Sequence, residues 1–269
     1  MIAALGCLSV AFVGVSAAAD DGSETGETPE ASTVEGDASV AQVDSLPAPV
    51  LAFQGLIDEM QVAAAAMVDA TYTFHKVELV GGNLQPAEQT AVKYRAPNDF
   101  YMKWIGEVGT GQELLFQPGW NDDRMRISPG PLVPTVNLSV DSRLASRTNR
   151  HTVRHAPLPT IVQNFVNDEA ALVAAAEIPS IQELGARMVY GDSCRCFQLE
   201  MPKEKLPELY ASRIEICISD RTHLPARIQA WDVEGGMLQL VEDYGYEEMH
   251  VNVGLTDADF DPENKAYNF

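Results

Sequence analysis

The sequence is poor in positive charge. Its 269 residues hold 18 Lys and Arg against 39 Asp and Glu, a formal net charge of -21. Nucleic-acid binders draw most of their affinity from a basic face that neutralises phosphate. A chain this acidic is repelled by phosphate backbones and anionic membrane surfaces, so nucleic acid is excluded as a partner. Cysteine is scarce as well. Four are too few for a disulfide scaffold, although one or two bridges fit. Reaction motifs are missing: there is no G-x-S-x-G, no P-loop and no G-x-G-x-x-G. Gly109-Thr110-Gly111 lacks both the third glycine and a following helix, and reads as a turn. No cofactor is expected, and the sequence names no reaction.

Basic residues are absent altogether from positions 1–45, which hold eight acids. The remainder, 46–269, has 31 acids and 18 bases, a net charge of -13. Residues 2–19 form an apolar run ending in small residues before Asp20, with Ala17 and Ala19 at A-x-A positions. This pattern predicts a removable secretory signal over 1–19, since the run is short and Ala-rich for a permanent span. No Lys or Arg precedes it, which points to a start a few residues upstream. Cys7 lies too near the start, with Ala4 where a lipidation site has Leu, so a lipid-anchored form is not expected. Residues 20–45 carry Asp, Glu, Gly, Ser and Thr with no aromatic, too little apolar surface to offset ordering entropy, and predict a disordered acidic spacer. The protein is expected in the periplasm or outside the cell.

From residue 46 a single domain is expected. Phe53, Leu56, Ile57, Met60, Ala64 and Met67 recur at helical spacing and predict a helix from Pro47 to about Val68. Then the period falls to two. Tyr72, Phe74 and Lys76 share one face, Thr73, His75 and Val77 the other, which predicts a strand turning at Gly81-Gly82-Asn83. Further strands are predicted at 89–95, 100–105, 113–117 and 124–128. Residues 129–160 are Pro-rich and read as irregular. A second amphipathic helix follows over 159–176, then strands near 184–190, 194–201, 211–219, 226–232 and 238–246, the last two joined at Gly235-Gly236. With no helix between most strands, a parallel α/β sheet is excluded. The fold class is α+β: a strongly curved antiparallel sheet, an incomplete β-barrel, with helices packed on it; the concave side fits better, and a convex face would also satisfy the pattern.

Candidate sites are few. Cys194 and Cys196 lie on one strand and Cys217 on its neighbour, on faces that also carry Gln198, Glu200, Arg213 and Glu215. Cys196–Cys217 is the first disulfide expected and Cys194–Cys217 the alternative; one thiol stays unpaired. A C-x-C metal or redox site lacks a fourth ligand at a standard spacing, and no metal is expected. His151 and His155 would share a helical face, but no Glu stands between them and Pro157 follows, so they read as a polar loop. Arg143, Arg147, Arg150 and Arg154 make a basic island in the same stretch. They are read as pairing with the acid excess or contacting a phosphate head group or an anionic envelope partner. Asp257, Asp259, Asp261 and Glu263 lack the Gly and distal Glu of a calcium loop, and read as a solvated terminal loop. Trp104, Trp120 and Trp231 are expected to pack rather than stack on ligands.

Several stretches carry a family resemblance. They are Lys76-Val77-Glu78, Gly81 to Leu84, Val92 to Arg95, Pro97 with Tyr101 to Trp104, and Gly111 to Leu115. At the far end stand Tyr244 to Tyr246, Asn252 to Thr256, Asp259 to Asp261, and Asn264 to Phe269. In that order they resemble the secreted bacterial family catalogued as domain of unknown function 1571, over roughly 50–269. That family looks related to the periplasmic lipoprotein carriers LolA and LolB, in which helices cap an incomplete antiparallel barrel over an apolar cavity. Leu224 to Arg227, with Asp232 and Gly235, is similar to the late strands of those carriers. The resemblance implies a non-catalytic envelope protein binding a lipid or lipoprotein acyl chains, and it carries no catalytic residues. The alternative is an interaction module with a filled core; an envelope hydrolase stands below both.

Overall fold

A computed structural model describes residues 46–269 apart from 131, 145, 146 and 148. The expected signal and acidic spacer lie outside the described residues. Helix α1 spans Ala48–Ala66, with Pro49 in its first turn, where the absent N–H has no helical partner to lose. Its stripe of Val50, Phe53, Leu56, Ile57, Met60 and Ala64 is buried. Helix α2, Leu158–Ala175, repeats the device with Pro159 and buries Leu158, Ile161, Val162, Phe165 and Leu172. Each large apolar side chain so buried contributes about 1.5–3 kcal/mol.

The strands are β1 Asp69–Val80, β2 Asn83–Leu84, β3 Glu88–Arg95, β4 Asp99–Trp104, β5 Glu113–Phe116 and β6 Arg124–Ser128. They continue with β7 Val136–Ser139, β8 Ser180–Val189, β9 Asp192–Glu200, β10 Arg213–Ser219, β11 Pro225–Glu234 and β12 Met237–Val251. The Pro-rich stretch is therefore not wholly irregular. It contributes β7, paired with β6, and a 3-10 turn at Val153–His155. Four residues are too few for alternation to show in sequence.

The order across the sheet is β7-β6-β5-β4-β3-β1-β12-β11-β10-β9-β8, all pairs antiparallel, with β2 on β1 alone. The last strand thus lies beside the first, and the sheet stays open with β7 and β8 at its two edges. The chain between those edges, residues 140–179, has to cross one face of the sheet, and it carries α2 over it. Both helices join one cluster with Tyr72, Phe74, Val92, Phe197, Ile216, Ile228 and Tyr246, which defines the inner face.

The outer face holds two smaller clusters. In one, Phe260 is buried against Tyr101 and Leu115, with Tyr267 and Phe269 beside them. Tyr267 stacks on Tyr101 at 4.0 Å between ring centroids. Lys93 donates to Asp259 Oδ1 at 2.7 Å and Tyr267 Oη at 3.1 Å, and Arg95 pairs with Asp99 and Asp257. The solvated loop expected around Asp257 to Glu263 is thereby corrected in part. Asp257 and Asp259 meet strand cations while Asp261 and Glu263 stay exposed, and the aromatic residues between and after them bury surface that the run of acids conceals.

The other cluster is Cys194, Cys196, Cys217 and Ala226 with Leu184 and Val189 alongside. Cys196 faces Cys217 in the β9–β10 register and is joined to it by a disulfide. The polar character expected of this face stops at these residues, because the edge strand β8 brings Leu184 and Val189 beside them. Cys194 is free and buried, and burial pushes its thiol up to about 11, as befits an inert cysteine.

Candidate functional site

The crossover does not fill the space over the N-terminal strands. Between them lies a chamber of about 730 Å³, within the usual size of small-molecule sites. Its strand wall is Met102 and Trp104 from β4, Leu114 from β5, Met125 and Ile127 from β6, and Leu138 from β7. These are the inner-face positions of the two-residue alternation. Leu144, Val153, Ala156 and Ile161 of the crossover close the opposite side.

One end of the chamber is polar. Along β1 the inner row runs Ala70, Tyr72, Phe74 and then changes to Lys76 and Glu78. The register sets Glu78 directly opposite Glu242, each only 3% exposed. Like charges facing each other across a strand pair repel, and burial raises the cost unless each is compensated. The crossover supplies the compensation. Arg150 Nε donates to Glu242 Oε1 at 3.0 Å, its Nη1 to the Leu79 carbonyl at 3.1 Å, and its backbone N–H to Glu78 Oε2 at 2.9 Å. His151 Nε2 lies 2.8 Å from the same Glu242 oxygen. Tyr210 donates its hydroxyl to Glu242 and Tyr244 donates its own to Glu78. Lys76 bonds Asn149 and stands 3.3 Å from Glu88, which also accepts the Trp104 indole N–H at 2.8 Å.

The three glutamates are thus faced by Lys76, Arg150 and His151. The hydrogen bond to Glu242 holds His151 above its ordinary range, against the effect of burial. Burial pushes Glu242 upward, but the donors from His151, Tyr210 and Arg150 outweigh it and hold it below the usual range. Both shifts favour the charged pair. The outcome is mechanical: residues 149–151 are fastened to the sheet, which sets the rest of the crossover over the chamber.

A second cavity of about 270 Å³ opens between α1, α2 and the start of β8, walled by Val50, Phe53, Ile57, Phe165, Leu172 and Leu199. Asp168 borders both spaces.

The arginine island divides. Arg150 turns inward to the glutamates, and the Arg154 guanidinium lies over the Phe116 ring at 5.1 Å. Arg143 and Arg147 are exposed. His151 and His155 do not share a helix; His155 Nδ1 meets Thr152 Oγ1 at 3.1 Å. Among the described residues, no three or more His, Cys, Asp or Glu are grouped to hold a metal ion. Trp120 packs under the C-terminal tail, Trp231 is half-buried, and Trp104 packs against the main core while also lining the chamber. Glu78, Glu88, Glu242, Tyr210 and Asp168 are absent from the sequence-based candidates. For the glutamates the readable signal is charge at an inner-face strand position, as where Lys76 and Glu78 follow Tyr72 and Phe74.

Residues 67–269 match a family described as protein of unknown function (DUF1571). No curated protein matches the chain. Similar solved structures include MucB, with 12% identity, 77% of this chain and 62% of that one covered, and a TM-score of 0.48. The lipoprotein LppX of Mycobacterium tuberculosis has 13% identity, coverage of 79% and 99%, and a TM-score of 0.46. A LolA superfamily protein from Nitrosomonas europaea has 11% identity, coverage of 77% and 96%, and a TM-score of 0.35. Likeness at this level says nothing of ligand or partner.

Proposed function

The chain belongs to the DUF1571 family, and we propose that it is an exported, non-catalytic cell-envelope protein that binds a lipid, or the acyl chains of a lipoprotein, in its chamber. The observation that carries this reading is the row of strand-borne apolar side chains, Met102, Leu114, Met125, Ile127 and Leu138, facing 730 Å³ of unfilled space. Hydrocarbon that covers such a wall gains about 25 cal/mol for each Å² of apolar surface removed from water. Export is supported by the apolar run at 2–19 and by a disulfide, which persists in oxidising compartments. The ionisable groups at the polar end neutralise one another, an arrangement suited to holding structure rather than transferring protons. The arginine island, through exposed Arg143 and Arg147 beside Leu144, is the proposed contact for an anionic envelope partner.

A space-filling variant tests the site. Met125→Trp puts a larger side chain into the chamber wall, so saturable binding of a pyrene-labelled acyl chain should weaken by about tenfold or more, ~1.4 kcal/mol. The urea midpoint should change little by comparison. Wild-type affinity in a folded Met125→Trp protein would place the acyl chain elsewhere.

A further inference from the structure

Asp168 lies on α2 where the two cavities meet and is only 7% exposed. Its two oxygens share one donor, the Tyr210 backbone N–H, at 3.1 and 3.2 Å. An ionised carboxylate offers about four acceptor sites, so acceptor capacity is left over at a group that borders open space on both sides. Among the described residues no Lys, Arg or His forms an ion pair with it. Lys203, whose charge acts on it, is bound to Asp232 and to the Tyr210 carbonyl. Glu208 lines the chamber with it, and Glu169 and Glu177 line the smaller space; Lys76, which also lines the chamber, is engaged by Glu88 at 3.3 Å and Glu78 at 3.8 Å. Burial accordingly pushes Asp168 up to about 6.

A buried carboxylate without a counter-ion is costly, and a cation bearing N–H donors offsets that cost. The glutamates at the far end of the chamber differ, since each already has cationic or hydroxyl partners. An anionic head group placed at Asp168 would meet a third like charge beside Glu169 and Glu208. The hydrocarbon, for its part, has apolar space on either side of this one acid.

We propose that Asp168 receives the head of the bound amphiphile, and that the protein prefers a head carrying an N–H cation, such as a primary amine, over a neutral or anionic one. This rests on the lipid-binding reading of the chamber and adds the class of head group. The test is isothermal titration of the full chain near pH 7.5, with dodecylamine, dodecanol and dodecanoic acid below their aggregation limits. The amine should bind about tenfold more tightly than the alcohol, the scale of one charge-assisted hydrogen bond, and the acid most weakly. Asp168→Asn should bring the amine to the affinity of the alcohol while leaving the alcohol unchanged. Should Asp168→Asn fail to fold, the wild-type order of the three heads decides alone. Equal binding of all three, tightest binding of the acid, or an amine preference that survives in Asp168→Asn would overturn the assignment and leave the chamber reading intact. Binding of none of them would remove the chamber reading and this assignment together.

Discussion

Glu242→Ala is expected to destabilise the protein by about 3–5 kcal/mol, the cost of removing one partner from a buried charge cluster. The loss of packing is the smaller part. Arg150 Nε, His151 Nε2 and the Tyr210 hydroxyl all end on this carboxylate. The crossover should come loose at 149–151, so amide exchange over 149–157 should accelerate beyond the change in global stability. Exchange there at the wild-type rate would show that the cluster does not hold the crossover.

The same cluster dictates a pH profile. His151 titrates above its ordinary value of about 6.5, so its contribution is complete below that pH and is lost as pH rises through the raised folded-state value. Glu242 titrates below its ordinary value of about 4.5, so its contribution is complete above that pH and is lost as pH falls through the lowered one. The pair therefore contributes most between about pH 4.5 and 6.5. Urea midpoints of wild type minus those of a His151→Ala variant, followed across pH, should decline on the alkaline side of that window. A flat difference through pH 8 would contradict it.

Asp69→Ala is expected to cost about 3–4 kcal/mol, because a buried carboxylate that accepts several backbone N–H groups leaves all of them unpaired when removed. Asp69 is 3% exposed at the start of β1. It accepts the N–H groups of Val253, Gly254 and Leu255 at 2.6 to 3.2 Å. Asn252 completes the joint, its side chain accepting from Val68 N–H and donating to the Ala66 carbonyl, its own N–H bonding the Asp69 carbonyl. This joint aims the tail along the outer face, where Glu113 receives Asn268 at 2.8 Å. Asp69→Ala should therefore both lower the urea midpoint and expose residues 255–269 to limited proteolysis. A tail still protected in the folded variant would show that its aromatic contacts suffice without the joint.

The fold could be read from the sequence wherever one face of an element is buried and the other is wet. The stripe from Phe53 to Ala64 and the alternation from Tyr72 to Lys76 needed no further information, and the turn at Gly235-Gly236 marked its own hairpin. Legibility failed where burial depends on partners far along the chain. Cys194, Cys196 and Cys217 sit among polar neighbours in sequence, and only the edge strand beside them makes their surroundings apolar. Asp259 looks solvated until Lys93, 166 residues away, is seen to hold it. The polar end of the chamber was hidden for the same reason. Glu78 and Glu242 become a unit through the β1–β12 register, and the pairing with the acid excess read for Arg150 finds its particular partners only through the path of the crossover. The apolar wall was visible residue by residue as alternation, but whether α2 fills the space above it is a property of the crossover's path, which no local pattern encodes.

The central claim, that hydrocarbon occupies the chamber, is tested most directly by native mass spectrometry of the full chain purified from its own envelope fraction. A reproducible adduct of lipid mass is expected, and it should be lost in Met125→Trp purified in parallel. A wild-type protein that appears only at its bare mass, from preparations in which a known lipid carrier keeps its ligand, would contradict the account.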